Sequence, residues 1–318
     1  MRIGLVGYGV GGRYFHAPFI RAAEGVDLVG VVARSAAKKA EVAADLPGVP
    51  TYDSLADLLA SGGVDAVTIT TPPQTRRELV LEALAGGVHV VADKPFAPSA
   101  TAAQELADAA DAAGLVLSVY HNRRFDADIR TLAAVIANGE LGGLWRVHSR
   151  FDLDDPGTLE AGETGGMLRD MGTHVVDQMM WLLGDVAEVS AELDFVDLPE
   201  GRTDASFVVT LKHTSGVTSY VSSSKVNHLS ARTLRAYGAL GSYEASGTDV
   251  QAQAIFAGRR PIDDRAGWGY DDEAHWGTLA TGTGSRRVPS EKGAYFEFYE
   301  RFASAVAGEG LPHRPPPA

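Results

Sequence analysis

The sequence predicts an α/β protein in two parts: a doubly wound parallel sheet, then an α+β domain on an open, mostly antiparallel sheet. Three observations carry this. Over roughly the first 120 residues, short β-branched runs alternate with Ala-rich helical stretches, the rhythm of a sheet covered on both faces. After Tyr120 that rhythm gives way to longer strands joined by hairpin turns. The chain's 318 residues, 45% hydrophobic and 22% charged, are also more than one ordinary core organises. The boundary falls between 121 and 122, giving parts 1–121 and 122–318.

In the first part the expected strands are Ile3–Val6, Leu28–Val32, Ala66–Thr70, His89–Ala92 and Leu115–Val119. Helices are expected around Phe19–Ala23, Ala36–Asp45, Ser54–Leu59, Arg76–Ala85 and Ala100–Ala113. Ser54 and Ser99 stand where N-caps belong, and Gly86-Gly87 and Gly114 where helices stop. The second part opens with a helix over Asp126–Ala137 ended by Asn138-Gly139, then a strand over Leu144–Phe151, an acidic loop and a helix over Gly166–Leu183. Strands follow at Glu188–Phe195, Ala205–His213, Val217–Ser224, Thr233–Tyr237 and Ser242–Ala245, with turns at Thr214-Ser215-Gly216 and Gly238–Gly241. A last helix spans Tyr295–Ala307. The Pro-rich run 311–318 cannot be helical.

Composition narrows the function classes. A formal charge of −13 argues against nucleic acid or an anionic membrane as the main partner. The absence of cysteine rules out disulfides and thiolate-ligated metals. No apolar run approaches a bilayer span, and Met1–Val10 reads as a first strand, not a signal peptide, so a cytoplasmic location is expected.

Gly7-Tyr8-Gly9-Val10-Gly11-Gly12 follows the first strand directly and matches G-x-G-x-x-G. Gly7 permits the tight turn, Gly9 the close approach of a pyrophosphate, and Gly12 the packing of helix on strand. A helix N-terminus beyond it favours anions. This is the fingerprint of a Rossmann dinucleotide site, with Tyr8 and Val10 inside the same turn. At the end of the second strand an NAD site usually carries an acid for the ribose hydroxyls. Here Ala33-Arg34-Ser35 stands in its place. Arg34 can pair with a 2′-phosphate, Ser35 can donate to it, and Lys38 lies one turn on, so NADP(H) is favoured over NAD(H). Arg34 as an ordinary solvated loop residue is the competing reading.

Asp93-Lys94-Pro95 ends the fourth apolar strand, at the edge where parallel sheets bind ligands. A lysine there, partly desolvated beside a cationic nicotinamide, suits proton exchange with a hydroxyl or carbonyl. In Gly165-Gly166-Met167-Leu168-Arg169-Asp170-Met171-Gly172-Thr173-His174, Asp170 and His174 are spaced to share one helix face. An acid beside an imidazole makes a general base. Each feature alone also fits a plain structural role. A metal held by Asp170, His174 and Asp177 lacks further clustered ligands, and none is expected.

Together these three motifs resemble the Gfo/Idh/MocA oxidoreductases along nearly the whole chain. Phe15-His16-Ala17-Pro18, Tyr120–Asp126 and Asp170–Gln178 look like the branch of NADP-dependent scyllo-inositol dehydrogenases. The resemblance implies hydride exchange with a cyclic polyol or sugar-like alcohol or ketone, and homodimers or homotetramers built on the C-terminal sheet. It implies Lys94, Asp170 and His174 as the catalytic set, Thr71, Pro72, Asp93 and Lys94 as cofactor contacts, and Asn122 and Arg123 with Asp170 and His174 at the substrate, in a cleft between domains. His16 either faces the cofactor or packs at a helix end. A keto-sugar reductase and a non-catalytic dinucleotide-binding regulator are the alternatives. The chain departs from the family in three places: Asp93 where glutamate is usual, Arg76 where Thr70–Arg76 often ends in histidine, and a short acidic loop at Asp152–Gly157.

Overall fold

The computed structural model describes residues 1–162 and 165–310; the Pro-rich run at 311–318 lies outside them. The chain forms two compact units.

The first unit contains β1 (Arg2–Val6), α1 (Ala17–Ala22), β2 (Asp27–Val32), α2 (Ala36–Asp45), β3 (Thr51–Tyr52), α3 (Leu55–Ala60), β4 (Ala66–Ile69), α4 (Pro73–Ala85), β5 (His89–Ala92), α5 (Ala100–Ala113) and β6 (Leu117–Val119). Its six strands run parallel in the order β3-β2-β1-β4-β5-β6, the doubly wound arrangement expected. Every residue of β4 is buried, because helices cover both faces. The serines act as caps: Ser54 Oγ accepts the Asp57 N–H at 3.1 Å and Ser99 Oγ that of Ala102 at 3.2 Å, each worth about 1 kcal/mol. Gly114 closes α5 with a φ of +65°.

In the second unit, α6 (Ala127–Ala137), β7 (Leu144–Asp152) and α7 (Thr173–Leu183) precede β8 (Val186–Leu198), β9 (Gly201–His213), β10 (Thr218–Ser224), β11 (Ala231–Gly238) and β12 (Gly241–Ser246). After α8 (Val250–Phe256) come β13 (Gly277–Thr281) and β14 (Gly284–Val288), then α9 (Phe296–Val306). The eight strands order as β14-β13-β12-β11-β7-β10-β9-β8, antiparallel throughout except where β7 meets β10. One face packs on α6 and α7 through Ile129, Leu132, Val175 and Met179 against Val147, Phe207, Val209, Val221 and Leu234. The hairpin β13–β14 was not expected, because glycines interrupt its alternation and only Leu279 and Val288 reach the core.

Ala252–Ala266 and residues 295–310 fold with the first unit. Phe296, Phe298, Tyr299 and Phe302 on α9 are each at most 1% exposed. They find partners in that unit: Phe298 meets Tyr120 with ring centroids 4.8 Å apart, and Tyr295 meets Phe19 at 5.1 Å. Burying such rings contributes about 1.5–3 kcal/mol apiece, enough to draw the helix to the core that accepts them.

Candidate active site

Register brings the first unit's motifs together. Val6 lies beside Ile69, and Ile69 beside Ala92, so the residues that follow (Gly7, Thr70 and Asp93) leave the sheet side by side. Gly7 has a φ of +105°, a region closed to ordinary side chains. A Cβ on Gly12 would stand 2.3 Å from the Gly7 carbonyl oxygen, so only glycine lets the helix pack this closely. The sequence reading left out Gly11, whose Cβ would meet the Thr70 hydroxyl at 2.6 Å and Asp93 Oδ2 at 3.2 Å. Gly9, by contrast, has nothing within 4 Å of a built Cβ, and Val10 is 66% exposed. An open glycine just before the π-helical turn Gly11–His16, whose first N–H groups lack intrahelical acceptors, fits a dinucleotide pyrophosphate. Tyr8 does not face that space. Its ring is buried with Leu5, Val31 and Val42, and its hydroxyl lies 3.1 Å from Asp45.

Of the residues expected at the 2′-phosphate, only Arg34 is uncommitted. It is exposed beyond β2 and makes no ion pair among the described residues. Ser35 Oγ caps α2 by accepting the Lys38 N–H at 3.2 Å, and the Lys38 ammonium is held by Glu41 at 2.8 Å.

Asp93 is the centre of the first unit's polar network. Its Oδ2 accepts from Thr70 Oγ1 at 2.9 Å and lies 3.2 Å from His16 Nε2, while Oδ1 accepts the Lys94 backbone N–H at 2.8 Å. Burial pushes this carboxyl up, but the charges of His16, Arg76 and Lys94 together hold it well below the usual carboxylate range. His16 is fully buried; Tyr299 Oη lies 2.6 Å from its Nδ1, and its ring lies 4.0 Å from that of Tyr120. It therefore lies between Tyr299 and Asp93. Arg76, 2% exposed, donates to the carbonyls of Thr71 (2.9 Å) and Pro95 and so ties together the loops after β4 and β5. Thr71 and Pro72 lead into α4, and Lys94 follows Asp93, half-buried, before a cis peptide to Pro95.

In the second unit, Gly165 and Gly166 serve packing: a Cβ on either would fall 2.2 Å from Glu160 O or 2.1 Å from Asp204 Oδ1. The helix expected over 166–183 runs unbroken from 167 to 183 but widens within it. Leu168–Gly172, which carries Asp170, is a wide π-helical turn, and His174 opens α7 just beyond it. Such turns recur at functional sites. His174 is 5% exposed, whereas the Asp170 side chain is 41% exposed. The sequence reading missed Lys225, whose ammonium donates to Asp170 Oδ2 at 2.9 Å. Only the fold brings these residues together, because they lie 55 positions apart.

Arg123 is turned into a buried cluster: its Nη1 donates to Asp249 at 2.7 Å, and its guanidinium lies 4.9 Å from the Phe151 ring centroid. Arg232 lies 4.8 Å from the same centroid and holds Asp128 at 2.6 Å and Asp126. Burial, with the nearby Asp249 and Asp128, pushes Asp126 up to about 6 against the pull of the two arginines. Asn122 beside Arg123 is 5% exposed. Arg124 clamps Asp177 with bonds of 2.8 and 2.5 Å, which engages that carboxylate. In the acidic loop, Asp154 and Asp155 are exposed but Asp152 is buried, bonded to Arg150 and, at 2.9 Å, to Asn227.

Comparison with known proteins identifies the family. Residues 1–121 match the Gfo/Idh/MocA description "oxidoreductase family, NAD-binding Rossmann fold", and residues 129–244 match the C-terminal domain of the same family. The chain is 32% identical to the oxidoreductase YdgJ of Escherichia coli, over 98% of this chain and 90% of that one. It is 28% identical to scyllo-inositol 2-dehydrogenase (NADP(+)) IolW of Bacillus subtilis, over 98% and 88%. An oxidoreductase structure from Bacillus cereus superposes with a TM-score of 0.87 at 25% identity, covering 99% of this chain and 92% of the other.

Proposed function

The chain belongs to the Gfo/Idh/MocA oxidoreductase family, and from that premise we propose that it exchanges a hydride between NADP(H) and a cyclic polyol or sugar-like alcohol or ketone. The observation that carries this reading is the alignment of Asp93-Lys94 with the glycine turn at one sheet edge. A bound nicotinamide supplies or accepts the hydride. Gly7, Gly9 and Gly12 hold the pyrophosphate; Val10, Thr71, Pro72 and Asp93 border the nicotinamide half. Arg34 holds the 2′-phosphate, supported by its exposure beyond β2 and by the absence of an acid there.

Lys94, Asp170 and His174 are the acid/base set. In alcohol oxidation the hydroxyl proton passes to the His174 imidazole, while the Lys94 ammonium stabilises charge growing on the oxygen; ketone reduction reverses both. Asp170 favours the protonated imidazole by its charge. Assembly into dimers or tetramers uses the sheet face opposite α6 and α7. That face carries Val208, 50% exposed, and the stacked pair His148 and Tyr220 at 4.7 Å.

The test is nicotinamide absorbance with NADP⁺ or NAD⁺ and a panel of inositols and sugars. Turnover of a polyol or sugar, faster with NADP⁺, is expected. Tight dinucleotide binding without turnover of any of them overturns the enzymatic reading in favour of a regulator. Lys94→Ala should lose about 10²–10⁴-fold in kcat while NADPH still binds. Wild-type turnover in that variant refutes its role.

A further inference from the structure

We infer that Lys225 and Asp170 together grip two neighbouring hydroxyls of the substrate, the ammonium donating to one oxygen and the carboxylate accepting from the other. The inference rests on the polyol reading above and names two groups that would recognise such a substrate.

Lys225 directly follows β10, and its backbone is fixed on both sides. Its N–H donates to Ala205 O at 3.1 Å, and the preceding Ser224 carbonyl accepts the Leu153 N–H at 2.9 Å. The residue is 5% exposed. Its Nζ donates to Thr158 O at 3.2 Å and Asp170 Oδ2 at 2.9 Å. An ammonium has three N–H donors, and the third has no acceptor among the described residues. An ordinary surface ion pair leaves the long cationic side chain in water and contributes little. Here the lysine is buried and it is the carboxylate, 41% exposed, that opens to solvent. Burying an ammonium short of one bond is costly unless a further acceptor completes it. A hydroxyl is such an acceptor, and its neighbour on the same ring is a donor suited to the solvent-facing side of Asp170. Both bonds are charge-assisted, the stronger kind. The short loop ending at Thr158 thereby becomes part of the same grip, through its carbonyl on Nζ.

The experiment compares wild type with Lys225→Met and Lys225→Gln, using NADP⁺ with scyllo-inositol and with a monodeoxy-inositol. It also reads NADPH affinity by nicotinamide fluorescence without polyol, and thermal melting. In the folded variants KM for scyllo-inositol should rise roughly 10- to 100-fold. The preference for scyllo-inositol over its deoxy analogue should shrink, while NADPH affinity stays within about twofold. A folded variant that keeps the wild-type KM and preference overturns the grip and leaves the polyol reading standing. Wild type that binds NADPH but turns over neither inositol overturns both. If neither variant folds, Lys225 is structural and the inference falls.

Discussion

Asp93 in the first unit and Asp126 in the second are carboxylates largely removed from water, yet they respond in opposite directions. Burial pushes both up. Around Asp93 the countering charges are His16, Arg76 and Lys94, and no second carboxylate is among the causes that shift it; the anion wins. Around Asp126, Arg232 and Arg123 must serve Asp128 and Asp249 as well, and the carboxyl is left at about 6. Desolvation alone therefore does not decide the state of a buried acid. The local count of charges does, and it leaves a carboxylate anion at the first sheet's edge and a readily protonated acid in the second unit's Arg–Asp cluster.

The largest effect is expected where that count is most finely balanced. Arg232→Met leaves Asp126 and Asp128 facing each other with one arginine fewer and should cost about 3–5 kcal/mol of stability in urea denaturation at neutral pH. A loss below about 1 kcal/mol would break the comparison. Next comes pH. Asp126 has a folded value of about 6, above the unfolded value near 4, so the folded chain holds this proton more tightly. The stability it contributes is whole below about pH 4 and is lost as pH rises through 6, by up to about 3 kcal/mol. Asp126→Asn should flatten stability against pH over that window; an unchanged slope would assign it to another group.

Asp93 should behave inversely. Its folded value is depressed, so its contribution is present above the unfolded value near 4 and disappears as pH falls below it. Asp93→Asn should cost about 1–3 kcal/mol at neutral pH and blunt the acid limb of the melting profile. The smallest stability change belongs to Arg34→Ala, an exposed position worth under about 0.5 kcal/mol. It should nevertheless weaken NADPH about tenfold more than NADH, as loss of one charge-assisted contact does. Equal losses for the two cofactors would remove the 2′-phosphate assignment.

Much of this was legible in the chain itself. The glycine turn, the serine caps and the parallel strand runs depend on neighbours a few residues away, and they appear where the pattern predicts. The candidate site was legible in its motifs but not in its electrostatics. Nothing near Asp93 announces His16 or Arg76, and nothing in Ser222-Ser223-Ser224-Lys225 marks the lysine as buried against Asp170. The family resemblance implies Arg123 as a substrate contact, and its partner is not visible in the surrounding motif. The fold instead supplies Asp249, 126 positions on.

Local pattern thus determined the strands, the glycine turn after β1, the absence of an acid after β2 and the three motifs of an oxidoreductase. Tertiary structure decided which charges share a buried site, that Tyr8 faces the core, and that α9 folds with the first unit. The reason is physical. Backbone preference and side-chain periodicity act over one or two turns of chain. Desolvation and charge pairing act through space, and only the folded chain sets those distances.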